Sequence, residues 1–172
     1  MHSLIRFVGI LNAAVWFGSV VFFTIAAGPA FFSAEMATVL PRPHAGRVAE
    51  IIISRLATVQ IWCAVIALLH LLAEHLFSGK RVERLTLGGL AGLLVVNLAV
   101  KFWLLPTMHR LQIIRYAESS TPEQKAAAIS QFGLWHGLSS AGNLVVIVCL
   151  AYYLWVLMRP PVPVGRFGGT LR

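Results

Sequence analysis

Apolar residues run almost unbroken through four stretches of the chain, at 4–27, 56–77, 85–105 and 134–158. Between them polar residues and proline return. Each stretch exceeds the ~20 residues that a helix needs to cross a hydrocarbon core of ~30 Å. The pattern predicts an all-α polytopic membrane protein, a four-transmembrane-helix antiparallel bundle over residues 1–158. The segment 159–172, "RPPVPVGRFGGTLR", is rich in proline and glycine and predicts a disordered cytoplasmic tail. The first stretch is too long for the 7–15-residue apolar region of a cleaved leader, so it is read as helix one.

The two connections expected on the outer side are patterned too. "GPAFFSAEMATVLPRPHAGRVAEIIISRL" (28–56) opens with a Gly-Pro break that should end helix one. Pro41 and Pro43 interrupt it again, and residues 45–55 then read as a helical lead-in to helix two. "TPEQ" (121–124) places Thr121 as N-cap, Pro122 at the first helical position and Glu123 in the first turn, so helix four should start well outside the bilayer. Pro106 should end or kink helix three, because proline removes a backbone donor and clashes one turn back.

Within the spans, polar residues fall on single stripes at 100° per residue. Helix one aligns Asn12, Trp16 and Ser19; helix two aligns Gln60, Cys63, His70 and Glu74. Helix three pairs Asn97 with Lys101, and helix four aligns His136, Ser140 and Asn143. Polar groups facing lipid are expensive, so these stripes should turn inward. Counting at 1.5 Å per residue, Gln60, Lys101 and His136 lie within roughly 6 Å of the outer ends, and Asn97 and Asn143 near ~12 Å. The expectation is an outer polar layer (Gln60, Asn97, Lys101, His136, Ser140, Asn143) and a smaller inner one (Asn12, His70, Glu74). Lys101 and His136 are its ionisable members and would share an anionic ligand or a metal. For the asparagines and Ser140, hydrogen bonds between helices are the plainer reading. Gly88 and Gly92 on helix three form a small-residue face that either meets a second neighbour within the bundle or makes a homodimer contact. Trp103, Trp135 and Trp155 near span ends read as interfacial anchors.

Composition changes this picture little. The chain is 58% hydrophobic and 12% charged, against roughly 25% charged in soluble domains. Its net charge of +8 is scattered over every loop, with no basic cluster interleaved with aromatics, which excludes nucleic acid as the expected partner. Basic residues instead mark topology: Arg6, Lys80, Arg81, Arg84, Arg159, Arg166 and Arg172 crowd the short segments of one side. That places both termini in the cytoplasm and the chain in the cell (inner) membrane. Cys63 and Cys149 lie within spans, far from any CxxC spacing, and predict neither a disulfide framework nor a zinc site.

Several stretches stand in a fixed order along the chain: "WFGSVVFF" (16–23), "GPAFF" (28–32), "PHAGRVAEIIISRL" (43–56), Pro106 with "HRL", and "FGLWHGLSSAGNL" (132–144). Their order and spacing resemble a bacterial multi-pass membrane family of unknown function. That family is related to the transmembrane protein two hundred and five family, and more distantly to the membrane domain of copper resistance protein D. The resemblance implies a four-helix membrane architecture, puts His136 and Asn143 on the family's fourth-helix pattern, and supplies no reaction.

The function expected is therefore binding, or helping to move, a small solute or ion at the outer layer. Lys101 would supply charge, Gln60 and His136 hydrogen bonds, and Arg47 and Arg55 would stand at the mouth. The alternatives are a purely structural or accessory subunit and a protein that binds copper or haem. Imidazole and thioether donors at His136, His109, Met108 and His44 would serve the last, without an HxxxH or MxxM spacing; no cofactor is expected by default. An enzyme is least supported, since the chain has no aspartate, no nucleophile and base at meaningful spacing, and no phosphate-cradling loop.

Overall fold

The computed structural model describes residues 2–79 and 83–159. The expected tail beyond Arg159 and the basic pair Lys80 and Arg81 lie outside the described residues. Among the described residues the chain is entirely helix and short turns. The elements are α1 (His2–Phe22), a π-helical segment π1 (Phe23–Ala27), α2 (Gly28–Phe31), α3 (Ala34–Val39), α4 (Arg42–Ser78), α5 (Arg84–Ala99), a second π segment π2 (Val100–Leu104), α6 (Leu105–Tyr116) and α7 (Pro122–Met158). Four continuous helices, Ser3–Phe31, Arg42–Phe77, Arg84–Tyr116 and Pro122–Met158, are long and apolar enough to cross a membrane. The chain is a multi-pass membrane protein built as an antiparallel bundle.

The helix-one end differs from expectation, and at Pro106 helix three is interrupted without ending. Gly28-Pro29 does not end helix one, nor Pro106 helix three. In both places the helix widens into a π turn just before the proline and continues, as α2 and as α6. A proline ring clashes with the carbonyl four residues back, and a wider turn relieves that clash without breaking the helix. The helix-four start is as the sequence implies. The Thr121 hydroxyl accepts from the Gln124 amide at 3.3 Å, and the Gln124 side chain accepts from the Thr121 amide at 2.9 Å. Gly79 closes α4 in the left-handed conformation, φ 61°, which glycine adopts without steric cost.

α4 and α7 have 37 residues each. At ~55 Å they are nearly twice as long as a hydrocarbon core is thick. At the end opposite the chain termini, the distal end, α6 packs against α7 and touches α4. Arg6 marks the terminal end: its guanidinium donates to the Arg159 carbonyl at 2.9 Å, holding the start of α1 against the end of α7.

α1 packs between α4 and α7, α4 packs on α5, and α6 packs on α7, whereas α5 and α7 scarcely meet. The ring of helices thus closes mainly in its distal half. Its core draws on every span: Ala13, Trp16 and Val20 from α1, Ala64 and Ala67 from α4, Leu90 and Leu93 from α5, Leu150 and Tyr153 from α7. Three polar side chains are buried in the same region, Asn12, His70 and Asn97.

Candidate distal polar seam

α4 carries Arg47, Glu50, Ser54 and Thr58 at helical spacing, so all four lie on one stripe. The antiparallel partner of that stripe is the continuous helix through π2 and α6. Its side chains Lys101, His109 and Gln112 recur at intervals that match. At the distal tip the Gln112 amide packs over Gly46, where an added Cβ would sit 3.3 Å from its Oε1. One turn down, Glu50 Oε2 accepts from Arg47 Nη1 and lies against His109 Nδ1, both at 2.9 Å. Arg47 Nη1 and His109 Nδ1 are 3.1 Å apart, so two nitrogens crowd one carboxylate oxygen. The Glu50 side chain is only 19% exposed. Two turns further, ~12 Å deeper, the Lys101 ammonium donates to the Thr58 hydroxyl, which in turn donates to the Ser54 carbonyl at 3.0 Å.

Lys101 is half-buried. Among the described residues no carboxylate lies within ion-pair reach of it; the distal ion pairs all converge on Glu50. A cation partly withdrawn from water, with a single hydroxyl as partner, leaves its charge uncompensated. Such a position favours an anion.

The expected outer layer is divided by the structure into separate contacts. Gln60 sits two residues from Thr58, on the other side of α4, where its Oε1 accepts from the indole nitrogen of Trp16 at 3.4 Å. Asn143 donates to the Thr24 hydroxyl at 2.6 Å, tying α7 to π1. Asn97 is buried and donates to the carbonyl of Leu93 on its own helix at 2.8 Å. His136 and Ser140 are exposed; Ser140 donates to the His136 carbonyl, and the imidazole stacks on Phe132 at 6.0 Å. Lys101 and His136 do not converge, because Trp103 of π2 meets Trp135 of α7 edge to face at 5.1 Å. That pair takes the line of contact between the two helices, and Lys101 is turned to α4.

Asn12 donates to the Cys63 carbonyl at 2.9 Å, joining α1 to α4. His70 is buried against Gly9, while Glu74 one turn on is half-buried. The metal candidates also stand apart: among the described residues no three His, Cys, Asp or Glu side chains gather into a metal-holding group. Nδ1 of His109 is occupied by Glu50 and Arg47; His44 is exposed, and Met108 is half-buried. Two clefts, of about 440 Å³ beside Ser119, Ser120 and Gln124 and about 310 Å³ beside Leu4, Val8 and His70, do not reach Lys101.

Sequence reasoning missed both Glu50 and Thr58. The signal was present in the i, i+3, i+7, i+11 recurrence of hydrophilic residues from Arg47 to Thr58, on a helix expected to start at 45.

The profile of a family described as domain of unknown function (DUF4149) matches residues 11–117, which spans α1 to α6 and every residue of the seam. No curated protein and no solved structure matches the chain.

Proposed function

The chain belongs to the DUF4149 family, and on that premise we propose that it is a non-enzymatic protein of the inner membrane that binds a small anionic group. Its site is the distal seam between α4 and π2–α6, with Lys101 as the charged member. The observation that supports this reading is the half-buried Lys101 ammonium, held by Thr58 and, among the described residues, by no carboxylate. At an effective dielectric of about 20, an anion at 4 Å from such a charge gains about 4 kcal/mol of Coulomb energy before desolvation is counted. Trp103 and Trp135, beside the site, suit a position at headgroup level. The ligand chemistry is that of a phosphate, sulfate or carboxylate oxyanion, free in solution or borne by a lipid. The terminal end, with Arg6, Arg84 and Arg159, faces the cytoplasm in this reading, and the seam opens on the opposite side.

The test is thermal unfolding in nanodiscs of zwitterionic lipid, with sulfate, phosphate or acetate added, and separately with anionic lipid included. A rise in Tm with a free anion assigns a solute site, and a rise with anionic lipid alone assigns a headgroup site. Lys101→Ala should lose the shift and Lys101→Arg should keep it. A shift of equal size in Lys101→Ala, or none with any anion or lipid, would overturn the assignment.

A further inference from the structure

We infer that the anion at Lys101 is the phosphate of an anionic phospholipid in the distal leaflet, with Arg55 as its second cation and the outer face of α4 as the track for its chains. The inference rests on the reading of Lys101 as an anion site, and names the ligand.

On α4, Arg55, Val59, Trp62, Ile66 and Leu69 recur at i, i+4, i+7, i+11 and i+14, so they form one stripe. All five are exposed, Trp62 by 63% and Leu69 by 58%. In a helix that spans a bilayer, an exposed apolar stripe is the side turned to lipid. This one begins at its distal end with a guanidinium and continues through about 15 Å of hydrocarbon surface from Val59 to Leu69. A phospholipid has the same profile, a charge at one end and chains below it.

Thr58 stands at the edge where this stripe meets the seam. It lies three residues from Arg55, a neighbouring position on the helix surface, and its hydroxyl accepts from Lys101 across the seam. Arg55 and Lys101, from two helices, therefore flank one hydroxyl. Among the described residues neither forms an ion pair; Glu50, the carboxylate on this part of α4, is taken by Arg47 and His109. Two cations without a counter-ion beside an apolar track match one phosphodiester.

A free oxyanion fits the place less well. The Thr58 hydroxyl proton is committed to the Ser54 carbonyl, so the wall offers no O–H there. The residues next to Thr58 and Lys101 are Val59 and Phe102, both apolar and exposed. An ion that gives up water against such surface loses hydrogen bonds that nothing replaces. Neither cleft reaches Lys101 to enclose one. A phospholipid brings its own chains to cover the apolar side.

The experiment weighs the lipid that stays bound. Protein is released from nanodiscs of phosphatidylglycerol mixed with phosphatidylcholine, and the retained lipid is identified by native mass spectrometry. Phosphatidylglycerol should be retained in preference. Arg55→Gln and Lys101→Ala should each lower that preference about fivefold, the equivalent of the ~1 kcal/mol that a basic side chain contributes near an anionic surface. Arg55→Lys and Lys101→Arg should keep it. Arg55 is exposed, so a loss in Arg55→Gln is not a loss of packing. Arg115→Gln removes an equal charge from α6 and should leave the preference unchanged. An equal loss in Arg115→Gln, or no loss in either Arg55→Gln or Lys101→Ala, overturns the inference. Inorganic phosphate separates it from the reading it rests on. A Lys101-dependent rise in Tm with phosphate in phosphatidylcholine nanodiscs, and no headgroup preference, overturns the lipid and keeps the anion site. Neither a rise nor a preference overturns both.

Discussion

Gly9 is the position where the packing of this bundle can be tested most sharply. It is buried on α1, and a Cβ built there would lie 2.3 Å from Nε2, 2.6 Å from Cε1 and 2.7 Å from Cδ2 of His70. Non-bonded atoms settle at roughly 3.5–4.0 Å, so Gly9→Ala forces the imidazole to move by about 1 Å. His70 is 5% exposed, and how far its ring can give way into the cleft of about 310 Å³ beside it sets the cost. Overpacking of this kind costs about 1–3 kcal/mol. Against it stands the gain from replacing a mid-helix glycine with alanine, about 1 kcal/mol. Gly9→Ala alone should therefore be between neutral and about 2 kcal/mol destabilising. In a His70→Ala background the clash is gone and the helix term remains, so the same substitution should stabilise by about 0.5–1 kcal/mol. The sign reversal is the decisive quantity. It is read from a double-mutant cycle of reversible unfolding in mixed micelles, monitored by far-UV circular dichroism, where a coupling of about 1–3 kcal/mol is expected. Equal effects of Gly9→Ala in the two backgrounds would refute the claim that α1 and α4 approach each other at this pair.

Other outcomes follow from single contacts. Removing the Thr121 hydroxyl in Thr121→Ala should cost about 1 kcal/mol and raise hydrogen exchange in residues 122–125, because the acceptor of the Gln124 amide is lost while the backbone half of the capping box remains. The Thr24–Asn143 contact should show a coupling of about 0.6 kcal/mol, and no more than about 1.7, in a cycle of Thr24→Val with Asn143→Leu. Gly92→Leu should leave the Tm of the isolated monomer nearly unchanged, within about 0.5 kcal/mol, since no atom stands within 4 Å of the built Cβ. A large loss that appears only at high protein-to-lipid ratio would show a second copy packed there. His136→Ala should leave any anion-induced Tm shift intact, because this exposed imidazole lies on the far side of the Trp103–Trp135 contact from Lys101.

The sequence by itself determined the number of crossings, their antiparallel order and the distal start of α7. These depend on quantities local to the chain: unbroken apolar length, helical spacing, and the cap formed by Thr121, Pro122 and Gln124. Helical spacing also placed Asn12, His70 and Asn97 on inward faces, and all three are buried. What the local pattern lacked was azimuth, the choice of which neighbour each stripe meets. Depth alone grouped Lys101 with Gln60 and His136, yet the three point toward α4, α1 and the exterior. Two residues along a helix turn a side chain by 200°, so Thr58 and Gln60 serve different partners although they are almost level. The π turns before Pro29 and Pro106 add rotation that a straight 100° count omits. Only the packed bundle, in which Trp103 against Trp135 excludes one pairing and Glu50 against His109 enforces another, decided where the polar groups meet.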